Sequence, residues 1–86
     1  MSVPPMTAEA AILSLLSRRG AGKTICPSEA ARLLDWEDWR PLMPAVREAA
    51  QSLVTEGRIV ATQRGEVVDL DTAAGPVRLG LSVAPR

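Results

Sequence analysis

An α+β fold of three helices and a small antiparallel sheet is predicted by three observations. Apolar residues recur at helical spacing through three segments before Gly57. The spacing then changes to two short β-type runs separated by Arg64-Gly65. Proline or glycine marks most of the junctions. With 86 residues there is apolar area for one core and not for two, so the chain is read as a single domain over 1–86. Hydrophobic residues at 47% and charged residues at 23% keep it out of the composition range in which chains stay disordered.

Residues 1–6, with Pro4 and Pro5, read as a flexible lead-in, because proline fixes φ and pushes its predecessor out of helix space. Thr7 has the place of an N-cap. Glu9 falls where the helix dipole favours an anion, and Arg18, Arg19 and Gly20 supply the cations and the stop, which gives a helix over Ala8–Arg19. Its Ile12, Leu13, Leu15 and Leu16 cover more than one narrow stripe and predict contacts on two sides. Residues Gly20 to Lys23 read as a turn leading into a short strand. Gly22-Lys23-Thr24 is the tail of a phosphate loop without the upstream glycine or the preceding strand, so a nucleotide site is not expected there.

Pro27 suits a first helical position and Glu29 follows near the positive helix end, predicting a second helix over Pro27–Leu34 docked by Ala30, Leu33 and Leu34. The acidic stretch Asp35 to Trp39 interrupts it. Pro41 and Pro44 are tolerable only in a first turn, so the third helix starts between Arg40 and Pro44. Leu42 or Met43, Val46, Ala49, Ala50, Leu53 and Val54 then face inward, leaving Arg47, Glu48, Gln51, Ser52 and Thr55 outside, and Gly57 ends it. Residues 58–64 and 66–70 form a tight hairpin; Asp71 to Leu79 is a turn and another extended piece, and 80–86 are expected to fray. Helix, short strand, helix, turn, longer helix and hairpin is the order of a winged helix-turn-helix domain. Its third helix can enter a major groove, and its hairpin is the wing.

The residues Ile25 to Arg32 (Ile-Cys-Pro-Ser-Glu-Ala-Ala-Arg), Trp39-Arg40, Met43, Val46-Arg47, Gly57, Thr62 to Gly65 and Gly75-Pro76-Val77-Arg78 resemble a bacterial family of uncharacterised winged-helix-like domains. The resemblance runs from the first helix to Arg78. It implies the winged-helix fold and a bacterial, cytoplasmic origin, and it transfers no functional residues.

Ten Lys+Arg balance ten Asp+Glu, so the global positive field of most dedicated nucleic-acid binders is absent and only a local patch could serve. The candidate patch is Arg40, Arg47, Gln51, Arg64 and Arg78, with Arg58 beside it, because base edges and phosphates call for guanidinium and amide donors. Against it stand Asp35, Glu37, Asp38, Glu48 and Glu56, which would repel phosphates or pair with these arginines. Trp36 is the candidate partner anchor, whereas Trp39, in a chain without Phe or Tyr, is expected to fill the space between the second and third helices. Cys26 reads as a buried, inert thiol in preference to a redox-sensitive one.

Without histidine and with one cysteine, neither a Cys/His or Ser/His/Asp nucleophile nor a zinc site can be built, so the chain reads as non-enzymatic, with no cofactor and no metal. No apolar run approaches a membrane span and no leader is evident, so a cytoplasmic location is the expectation. The expected function is contact with double-stranded DNA through the third helix and the wing; the alternative is a protein–protein interaction module on the same fold.

Overall fold

In the computed structural model, which describes residues 7–20 and 22–82, the helices begin where their capping residues dictate. The expected lead-in at 1–6 and Ala21 of the following turn lie outside the described residues. Helix α1 (Ala8–Arg19) opens on Thr7, whose hydroxyl accepts the Ala10 N–H at 3.1 Å. A short strand, β1 (Thr24–Ile25), precedes α2 (Pro27–Leu34), which has proline at its first position, where the missing N–H costs nothing. A 3-10 turn at Arg40–Leu42 holds Pro41 and leads into α3 (Met43–Thr55), which holds Pro44 in its first turn.

The core is aliphatic. Ala11, Ile12 and Leu16 of α1, Ala30 and Ala31 of α2, and Val46, Ala50 and Leu53 of α3 are fully buried. Ile25 joins them from β1. The broad apolar face of α1 meets α2, α3 and β1, as its spread of leucines requires. The inward edge of α2 differs from expectation. The row Pro27, Ala30, Ala31 and Leu34, at i, i+3, i+4 and i+7, turns inside, and Leu33 falls off that row and is 38% exposed.

Strands β2 (Ile59–Gln63), β3 (Glu66–Val68) and β4 (Arg78–Leu81) join β1 in a four-stranded antiparallel sheet of order β1-β4-β2-β3. The β2–β3 connection is the predicted Arg64-Gly65 pair, with φ of 53° and 83°; two positive values are what a type I′ hairpin turn needs. Strand β4 corrects the expectation of fraying from residue 80. Gly80 lies opposite both Thr24 and Val60, Leu81 opposite Ile59, and the Ser82 N–H donates to the Arg58 carbonyl at 3.1 Å. Leu79 and Gly80 are both buried after exposed Arg78, and Leu81 is half-buried, because the strand is flanked by β1 and β2 on its two sides. A Cβ at Gly80 would stand 3.3 Å from the Thr24 methyl, so the bare glycine lets β1 lie close. Residues 83–86 lie outside the described residues.

The segment 69–77 carries the chain from one side of β2 to the other. Leu70 and Val77, 5% and 2% exposed, anchor its two ends in the core. Between them, Gln63 Nε2 donates to the carbonyls of Ala74 at 2.7 Å and Pro76 at 3.0 Å.

Candidate functional site

Of the five residues selected from sequence as a nucleic-acid patch, only Arg47 and Gln51 share a groove, and its other walls are Glu48, Leu70 and Asp71. Arg47 is half-buried in that groove, which Glu48 and Asp71 also line. Gln51 donates to the Thr55 hydroxyl at 3.3 Å, and its carbonyl oxygen is buried without a partner. Arg40 is exposed in the 3-10 turn, its guanidinium 4.6 Å from the centre of the Trp39 ring. Arg64 stands exposed at the β2–β3 turn. Arg78, on β4 opposite Thr62, turns to β1, its Nε donating to the Thr24 hydroxyl at 3.0 Å and its Nη2 to the Thr24 carbonyl at 3.2 Å. The outward residues of α3 are Pro44, Ala45, Glu48, Ser52 and Thr55, and Glu48 shares a groove with Glu9 at the start of α1. The exposed face of that helix therefore presents a carboxylate and small side chains in place of a row of cations.

Arg78 belongs to a different assembly, built around the Thr24 carbonyl. Arg19 Nη1 also donates to that carbonyl, at 3.0 Å, and the same guanidinium forms an ion pair with Glu29. Glu29 in turn accepts the Cys26 N–H at 2.8 Å, closing the start of α2 from its third position. Burial pushes the Glu29 carboxyl up. The Arg19 hydrogen bond, the Cys26 N–H and the charges of Arg19 and Arg78 outweigh that and hold it below the ordinary glutamate value. Cys26 itself is half-buried, not fully buried as expected, and its sulfur accepts from the Ser28 hydroxyl at 3.3 Å. The end of α1, β1, the start of α2 and β4 are thereby tied at one place.

The turn between α2 and α3 is built the opposite way. Asp35 Oδ1 accepts the N–H groups of Glu37 at 3.2 Å and Asp38 at 3.1 Å, which reverses the chain and leaves Trp36 projecting, 76% exposed. Trp36 lines a groove with Leu15, Glu29, Arg32 and Leu33. Trp39 packs against the core as expected, with Arg32 at 4.7 Å from its ring centre in addition to Arg40. Among the described residues, Glu37, Asp38, Arg32 and Arg40 take part in no ion pair, although they are neighbours in the chain. Sequence reasoning had found Trp36 but not its companions Leu33, Leu15 and Arg32. The signal was present: the i, i+3, i+4, i+7 row of α2 is complete without Leu33, which leaves that leucine on the outside.

Nearly everything described so far falls inside one family match, since a family model described as "Protein of unknown function (DUF3253)" fits residues 5–82. The chain belongs to this family. The DUF3253 match takes in all three helices and all four strands, so both the Arg19–Glu29 assembly and the Trp36 turn are parts of the family's own domain and not attachments to it. It agrees with the resemblance read from the sequence in pointing to a domain of unknown function. Comparison with curated proteins finds no match. Among the described residues, no helix is long and apolar enough to cross a membrane.

Proposed function

We propose that this DUF3253 chain is a small, non-enzymatic module of winged-helix architecture that holds a protein partner on the outer edge of α2 and the turn that follows it. The architecture is supported by the element order and by β1 joining the hairpin strands in one sheet. The binding role rests on Trp36, a large apolar side chain held 76% exposed by a hydrogen-bonded turn and flanked by Leu33. Trp36 lines a groove with Leu15 and Leu33, and exposed Trp beside apolar surface is enriched in binding hot spots. The test is affinity purification with cross-linking from the source cells. A protein partner retained by the wild-type chain, by Arg47→Ala and by Arg64→Ala but lost with Trp36→Ala is the expected result; a partner indifferent to Trp36 would sink the reading.

A second reading, contact with double-stranded DNA, draws support from Arg64, an exposed cation in positive-φ backbone at the hairpin tip, and from the exposed Arg40. In it, α3 approaches the major groove and Arg64 meets phosphate. Duplex affinity would then fall steeply with salt, and Arg64→Ala would reduce the slope of log affinity against log salt by about 0.9. An absence of binding at low salt, or affinity that ignores salt, removes this reading.

A further inference from the structure

Glu29, Arg32 and Leu33, at i, i+3 and i+4, stand on one face of α2, and with Trp36 from the turn and Leu15 from α1 they line a groove. Leu15, Leu33 and Trp36 make its apolar surface; Glu29 and Arg32 are its charged groups, and the two are not equivalent. The Glu29 carboxylate is already paired within the chain, with Arg19 and with the Cys26 N–H. The Arg32 guanidinium rests 4.7 Å from the centre of the Trp39 ring and, among the described residues, forms no ion pair. Glu37 and Asp38 follow Trp36 in the turn but are not among the residues lining the groove. The charge that the groove leaves for another molecule is therefore positive. Its walls come from two helices, whose backbone groups are bonded internally. An extended segment laid there would find no ladder to join and would leave its own N–H and C=O groups against apolar side chains, whereas a helix arrives with its backbone already bonded.

We propose that this groove takes an amphipathic helix of a partner protein, with aliphatic side chains packed on Leu15, Leu33 and Trp36 and a carboxylate set on Arg32. This rests on the reading of the Trp36 surface as a protein-binding site and names the kind of partner. A guanidinium already seated on an indole has given up part of its rotamer freedom before a carboxylate arrives, which lowers the ordering cost of the contact. Ten cations against ten anions in the whole chain give no long-range preference for either sign, so a preference for acid has to come from the groove itself.

Titration of the full chain with two synthetic helical peptides, followed by NMR, tests it. Both peptides are about 15 residues long and carry the same leucine stripe, one with glutamates and the other with lysines on its remaining positions. The glutamate peptide should bind about tenfold tighter than the lysine peptide and move the signals of Leu15, Leu33 and the Trp36 indole, and Trp36→Ala should abolish that binding. Arg32→Gln should bring the two peptides close to equal affinity and Arg32→Glu should reverse their order. Arg64→Glu, the same change of charge outside the groove, should leave the order as in the wild type. The proposal is overturned if neither peptide binds up to millimolar concentration, if the wild type prefers the lysine peptide or neither, or if Arg64→Glu shifts the preference as much as Arg32→Glu. A cellular partner that depends on Trp36 and is indifferent to Arg32→Glu overturns the acidic helix and leaves the protein-binding reading standing; the absence of any Trp36-dependent partner removes both.

Discussion

The Arg19–Glu29–Arg78 assembly and the Trp36 turn lie at the two ends of the same eight-residue helix, and they use similar side chains for opposite purposes. At the start of α2, each charged group has a partner inside the chain: Arg19 and Arg78 converge on the Thr24 carbonyl, and Glu29 receives both Arg19 and a helix N–H. At its end, among the described residues, exposed Glu37, Asp38, Arg32 and Arg40 make no ion pair, the two arginines resting on Trp39, and Trp36 is 76% exposed. Charge satisfied internally joins elements. Charge left unsatisfied beside apolar surface adds little to folding and is available to another molecule.

That contrast can be broken by substitution, and the largest effect should come from the satisfied end. Glu29→Ala removes the Arg19 partner and the cap on the Cys26 N–H, and chemical denaturation should show a loss of about 1–2 kcal/mol. A loss comparable with that of any surface residue would mean that the assembly ties nothing together.

Acid should produce a related but gradual effect. Because Glu29 is held below its ordinary value in the folded chain, its contribution is fully present above its unfolded value of roughly 4.3 and is lost as pH falls through the lower folded one. A pH series of denaturation midpoints should show the wild type losing more stability on acidification than Glu29→Gln. Parallel curves would contradict the assignment.

Arg40→Gln, which removes one guanidinium from the Trp39 ring, is expected to cost only about 0.5–1 kcal/mol by thermal melting, as exposed cation–π contacts do. Trp36→Ala should be smallest of all, within about 0.5 kcal/mol of the wild type, because the side chain touches little that folding buries. If Trp36→Ala proved more damaging to stability than Glu29→Ala, the division of labour along α2 would be reversed.

The helices and the hairpin were legible in the sequence because their signals are local. Thr7 before Ala8, Pro27 at the head of α2, Gly57 after α3 and the Arg64-Gly65 pair each act on neighbours within a few residues, and the described elements begin and end close to them. What escaped was long-range. Arg78 and Thr24 are 54 positions apart, so no window of sequence shows that the Arg78 guanidinium donates to the Thr24 hydroxyl and carbonyl. Strand β4 runs past residue 79 because β1 and β2 flank it on both sides, and an isolated Leu-Gly-Leu gives no sign of that. Leu33 was misplaced for a different reason. A short helix with three apolar candidates fits more than one inward face, and Ala31, small and easily overlooked, took the place assigned to it.

The order of the strands has a consequence for how copies of the chain can meet. The two longest strands, β2 and β4, are interior, and the sheet ends on β1 with two residues and β3 with three. Open backbone donors and acceptors are thus confined to lengths too small to template a lasting ladder with another molecule. Growth by edge-to-edge stacking therefore has almost no foothold on the described strands.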